Sequence, residues 1–144
     1  MKAAATLIAV LALAGCGGHR TGSAEDVARS WSAALDRSDD TAAGKLFAAD
    51  AEIVQNGALV LHDQGDAVAW NAALPCGGTI TRVVSHGANE VLVVFRLKER
   101  PGHRCDAPGA AAAAIFRVKN GKIVLWHQTP PPKAAPAGSD GQTI

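Results

Sequence analysis

Apolar positions recur every second residue through most of the second half of the chain, and every three to four residues through parts of the first. Alternation puts side chains on the two faces of a strand, whereas the helical period gathers them into one stripe. AEIVQ and ALVLH flank Asn56-Gly57, and IFRVK and KIVLW flank Asn120-Gly121. Asn-Gly between alternating segments is the strongest short hairpin signature, because both residues tolerate the positive φ of a tight turn. Between these pairs, TITRVVSH and EVLVVFRLK joined by Gly-Ala-Asn predict a further hairpin. The turn-rich RPGHRCDAPG then leads into AAAAAIFRVK.

The first half reads as helices. Ser23 with Asp26 three residues on has the form of a capping box, and Val27, Trp31, Ala34 and Leu35 follow on one stripe. A shorter helix begins near Asp39 or Asp40 and is expected to carry Leu46 and Phe47. Asp63 caps a third, with Ala67, Trp70 and Leu74 on one face until Pro75 ends it. Gly44 and Gly65 weaken two of the three. The predicted architecture is α+β: helices, an antiparallel pair, a helix, then a four-stranded meander, with a strongly curved antiparallel sheet wrapped around the helices.

The chain opens on a different pattern, MKAAATLIAVLALAGC. Lys2 precedes an apolar run, Ala3 to Leu13, that is too short to span a bilayer, and small residues follow it, as in a segment to be cleaved. Leu13-Ala-Gly-Cys16 resembles the bacterial lipobox, which implies lipidation of the Cys16 thiol and cleavage before it. Two or more acyl chains hold a protein stably at a bilayer. The expected division is a signal peptide over 1–15, a tether over 16–23, one domain over 24–129 and a Pro-, Ala- and Gly-rich disordered tail over 130–144. Loss of Lys2 from the 14 basic residues leaves 13 against 13 acidic ones, a balance that argues against nucleic acid as a partner.

With Cys16 assigned to lipid, Cys76 and Cys105 remain. In an exported protein the pair most simply forms a disulfide, with two thiols as the alternative. A metal site of Cys76, His103 and Cys105 can be drawn, but it lacks a fourth ligand and the usual ligand spacings. No cofactor motif is readable: there is no phosphate-binding loop, no GxGxxG and no defensible Ser-His-Asp set.

DDTAAGKLFAADAEIV early and AIFRVKNGKIVLWHQ late make the chain resemble the SnoaL-like branch of the nuclear transport factor 2-like (NTF2-like) superfamily. The resemblance spans roughly Ala24 to Thr129 and implies a cone with a pocket at its open end. Relatives in that superfamily include polyketide cyclases, steroid isomerases, dehydratases and binding modules. Isomerase members use a carboxylate base with a tyrosine in the oxyanion pair, and this chain has no tyrosine. Cyclase members pair Asp with His. No catalytic residue therefore carries over.

A two-residue turn at Asn120-Gly121 pairs Lys119 with Lys122, then Val118/Ile123, Arg117/Val124, Phe116/Leu125, Ile115/Trp126 and Ala114/His127. That register puts Phe116, Val118, Ile123, Leu125 and His127 on the concave face with Val91, Val93, Phe95 and Leu97. His127 then becomes the pocket's candidate base or hydrogen-bonding group. Trp31 and Trp70 reach the pocket from the helices, and Phe95 and Phe116 from the sheet. Trp126 is expected on the outer face, where a homodimer could form. His62 is expected opposite Ala51; Glu52 is expected to share a face with Val54, Leu59 and Leu61; His86 and His103 read as loop residues and His19 as part of the tether. Three functions fit: an anchored module binding a small apolar ligand or an envelope protein, an isomerase-, cyclase- or dehydratase-type enzyme using His127, and a structural dimer.

Overall fold

Capping decides where each helix starts. Ser23 Oγ accepts from the Asp26 amide at 3.1 Å while the Asp26 carboxylate accepts from the Ser23 amide at 3.3 Å, completing the expected box. This opens α1 (Ala24–Asp36), which buries Val27, Trp31, Ala34 and Leu35. Asp39 and Asp63 cap α2 (Asp40–Gly44) and α3 (Gln64–Ala73) in the same way, accepting from Ala42 and Asp66 amides. The computed structural model describes residues 22–133; the leader, Cys16, His19 and the tail from residue 134 lie outside them.

Six strands form one sheet: β1 (Phe47–Val54), β2 (Ala58–Leu61), β3 (Gly77–Ser85), β4 (Glu90–Lys98), β5 (Ala111–Lys119) and β6 (Lys122–Thr129), in the order β2-β1-β6-β5-β4-β3. Strands β3 to β6 are the expected meander. The one parallel pairing, β1 with β6, joins the first hairpin to it. That pairing also explains why Phe47 is not helical. The Ile123 amide donates to the Leu46 carbonyl at 2.7 Å, and Phe47 lies beside Ile123, so this backbone is spent on the sheet.

Bulges interrupt the ladders in β1, in β3 at Thr81 and in β6 at Val124. An extra residue on one strand bends the sheet and increases its twist, and here the sheet curls around α1. The bulge at Val124 also corrects the expected register. Val118 pairs with Ile123 as predicted, but Arg117 then meets Leu125, Phe116 meets Trp126 and Ile115 meets His127. Trp126 is thereby turned into the core, 6% exposed, and His127 is turned onto the convex face. Burying an indole removes far more apolar area from water than burying an imidazole, so the slipped register is the favourable one.

The first hairpin differs in a similar way. Its turn holds three residues, Gln55 to Gly57, with Asn56 at φ 53° and Gly57 at φ 130°. Val54 therefore pairs with Ala58 and Ala51 with Leu61. Ala51, Ile53 and Leu61 point inward and are buried, whereas Glu52 faces outward and His62 falls beyond the strand. The second Asn-Gly turn is the predicted two-residue one, with positive φ at both Asn120 and Gly121.

Candidate ligand pocket

A cavity of about 330 Å³ opens between α1, the segment joining α3 to β3, and the inner face of the sheet. Its buried floor is aromatic: Trp31 from α1, Phe95 from β4 and Trp126 from β6. Its side wall is the small-residue run Ala112 to Ala114 of β5, where Ala112 and Ala114 face inward with Phe116, and larger side chains at those two positions would fill the hollow. Exposed polar side chains stand at the mouth: Asn56 from the first turn, Asp106 from the loop between β4 and β5, and Gln128 from β6. The volume lies at the small end of ligand sites, which are mostly apolar hollows with a few placed polar groups.

Hydrogen bonding holds the floor in place. The Trp31 indole N–H donates to Asn71 Oδ1 at 2.8 Å, and the Asn71 amide donates to the Ala67 carbonyl at 2.8 Å. Both side chains are buried, so each satisfies a group that water cannot reach. The Trp126 N–H has no partner and is sealed from solvent; around it stand Trp70 at 5.0 Å and Trp31 at 6.0 Å between ring centroids. Ser32 Oγ donates to the Gly78 carbonyl at 3.2 Å and fixes α1 against the start of β3.

The structure brings some of the expected site residues to this cavity and puts others elsewhere. Trp31 and Phe95 line the cavity as expected. Trp70 and Phe116 do not; they pack behind the floor, in edge-on contact with Trp126 at 5.0 and 6.4 Å. Trp126, expected outside, is part of the floor, so it offers nothing to an outer-face dimer. His127, expected at the mouth, sits beside Ile115 and Val54 on the convex face, because the Val124 bulge shifts the strand by one residue. His62 lies 3.3 Å from Asp50 at the surface, His86 is in the β3–β4 loop 3.7 Å from Glu90, and His103 bonds the Ala72 carbonyl at 2.8 Å. Gln128, which the unbulged register puts on the outer face with Trp126, pairs with Ala114 and stands at the mouth, and nothing local in the sequence marks Asp106 for that place; the run of five alanines before Ile115 is the available sign of a hollow.

Cys76 and Cys105 are disulfide-bonded across 29 residues. Their sulfurs lie close to the Asp106 carboxylate, but sulfurs joined to each other offer no thiolate to a metal, so this cluster is not a metal site. Cys76 Sγ stands 3.5 Å from Asp106 Oδ1, which is packing rather than hydrogen bonding, since a disulfide sulfur carries no proton. The bond ties the Pro75–Gly78 wall to the loop bearing Asp106 and Ala107. A loop of that length predicts that the Cys76→Ser, Cys105→Ser variant loses about 3.5 kcal/mol, read as a fall of about 12–15 °C in thermal midpoint. An unchanged midpoint would refute the assignment of this bond as a stabilising one.

No family model and no curated protein matches the chain by sequence. Solved structures do match its shape. An NTF2-like protein of unknown function from Cytophaga hutchinsonii superposes with a TM-score of 0.60 at 14% identity, covering 74% of this chain and 88% of that one. The fold is NTF2-like. A candidate polyketide cyclase from Sinorhizobium meliloti matches at TM-score 0.58 and 19% identity, over 72% and 94% of the two chains. A protein of ketosteroid isomerase-like fold from Catenulispora acidiphila, solved in complex with trimethylamine, matches at 0.55 and 22% over 73% and 85%. At such identities the NTF2-like likeness concerns architecture, and chemistry must be argued from the cavity itself.

Proposed function

We propose that this chain is an exported, lipid-anchored binding protein whose NTF2-like cone holds a small, mainly apolar molecule. One observation carries the binding half: the cavity has an aromatic floor, and the single ionisable side chain that lines it among the described residues, Asp106, stands at the exposed mouth rather than against the floor. General acid–base chemistry needs a titratable group within hydrogen-bond reach of the reacting atom, and the one histidine proposed for that role, His127, is on the other side of the sheet. The fold is compatible with a small guest, since one structural neighbour was solved with trimethylamine. The anchor half is supported by Leu13-Ala-Gly-Cys16 after its apolar run. No described helix is long and apolar enough to cross a membrane, so attachment in this reading falls to the acylated Cys16.

Two measurements test the two halves separately. Expression with labelled palmitate is expected to mark the chain, and Cys16→Ser to abolish the mark; labelling that survives would remove the anchor. Native mass spectrometry of the gently purified full chain is expected to show a non-covalent adduct of low mass, weakened by Ala112→Trp, which points inward beside Phe95 and fills the hollow. An adduct retained at full strength in that variant would overturn the assignment of this cavity.

A further inference from the structure

The acidic side chains of the domain nearly all have work within the fold. Glu25, Asp36, Asp40 and Glu90 pair with Arg29, Lys98, Arg100 and Arg117. Asp26, Asp39 and Asp63 cap helices, and the Glu99 carboxylate accepts from the Cys105 amide at 2.8 Å. Asp106 has no such role. No ion pair among the described residues involves it, and its one polar neighbour is a disulfide sulfur with no proton to give. Its backbone is nonetheless held tightly, since Cys105 next to it is both disulfide-bonded and bonded to Glu99. The chain beside it is thus anchored, which keeps this carboxylate at the rim of the hollow, and a rim already in place lowers the cost of binding.

The rest of the lining selects the ligand's charge. Among the described residues no Lys, Arg or His lines the cavity, so an anion would meet Asp106 with nothing from them to offset the repulsion. A neutral guest could at most donate a hydrogen bond to the carboxylate and would leave its charge unbalanced. A cation is attracted to it and also to the electron-rich rings of Trp31, Phe95 and Trp126, which draw ammonium groups whose alkyl substituents are themselves apolar. Building on the binding role proposed above, we infer that the pocket recognises a small organic ammonium ion, its apolar substituents against the aromatic floor and its charge facing Asp106. The three amide side chains at the mouth, Gln55, Asn56 and Gln128, complete a polar collar without adding charge.

Titration of the full chain with phenyltrimethylammonium, its uncharged isostere tert-butylbenzene, and benzoate, followed by tryptophan fluorescence and calorimetry, tests this. The ammonium ion is expected to bind about ten-fold more tightly than the isostere, more weakly as salt is raised, and benzoate not at all. Asp106→Asn is expected to bring the ammonium affinity down to that of the isostere, leaving the isostere's own affinity and the thermal midpoint unchanged. Equal affinity for ion and isostere, indifferent to Asp106→Asn, would overturn the ammonium assignment while leaving a binding pocket for apolar molecules. Failure of all three probes to bind would remove the pocket reading as well.

Discussion

Replacing Arg100 with methionine is expected to destabilise the fold by about 3–5 kcal/mol, the range for removing one partner of a buried, hydrogen-bonded charge pair. The guanidinium is wholly buried and uses four of its five N–H donors. One goes to Asp40 Oδ1 at 2.6 Å, one to Ser38 Oγ at 3.1 Å, and two to the carbonyls of Asn71 and Leu74 at 3.0 and 3.1 Å. The Leu74 carbonyl lies past the end of α3, where no helical donor follows, and the Asn71 carbonyl takes Arg100 as a second donor beside the Leu74 amide at 3.2 Å. Methionine fills similar volume but takes the donor from the Leu74 carbonyl and the counter-charge from the Asp40 carboxylate together. Urea unfolding checks this, with Arg100→Lys expected to recover only part of the loss because an ammonium cannot match the planar fork. The double variant with Asp40→Asn is expected to lose less than the two single losses added, since neither leaves its partner's charge stranded. A loss below about 1 kcal/mol for Arg100→Met, the range of an exposed pair, would refute the structural role given to this arginine.

Arg100 matters to function through position. It binds the loop that carries Cys105 and Asp106 to the end of α3 that leads into Leu74 and Pro75, so with the disulfide it joins two sides of the cavity mouth. Its sequence gave no hint of this. Arg96, Lys98, Arg100 and Arg104 form a basic run that reads as a solvated strand end, and only the tertiary meeting of the β4–β5 loop with α3 picks Arg100 out for burial.

The same distinction between local and distant causes separates what the residue pattern reveals from what it hides. Caps at Ser23, Asp39 and Asp63 act within four residues, and each helix starts where its cap predicts. The Asn120-Gly121 turn is equally local, because two consecutive positive φ angles suit those residues and few others. Register beyond the turn is not. Ile123-Val-Leu-Trp126 is apolar throughout, so alternation cannot say which members face inward. The bulge at Val124 is decided by the Trp31, Trp70 and Phe116 rings waiting on the concave side. The third residue in the first turn and the parallel seam of β1 with β6 are fixed in the same way, by partners far along the chain. The pocket inherits these hidden choices: one slip of register exchanged His127 for Trp126 and changed a candidate base into a wall.

Trp31 is the residue on which core and cavity both rest, and Trp31→Ala is expected to cost about 5 kcal/mol, comparable to the whole stability of many domains. Its indole, 4% exposed, stacks on Trp70 at 6.4 Å and meets Phe116 edge-on at 5.3 Å, with Phe95 and Trp126 at 6.2 and 6.0 Å. Truncation removes the ring and leaves a void that the surrounding rings are too stiff to close, about 3–5 kcal/mol for an aromatic side chain. It also strands Asn71 Oδ1, fully buried, without the N–H it accepts, a further 1–3 kcal/mol by the usual range for an unsatisfied buried group. Trp31→Phe separates the two contributions: it keeps most of the packing, loses the hydrogen bond, and is expected to cost about half as much. Because Trp31 also forms the pocket floor, the phenylalanine variant, still folded, is expected to bind apolar probes in an enlarged cavity with altered affinity. Chemical denaturation of the three proteins gives the energies. Nearly equal losses for the alanine and phenylalanine variants would show that the bond to Asn71, and not the ring, holds this centre together.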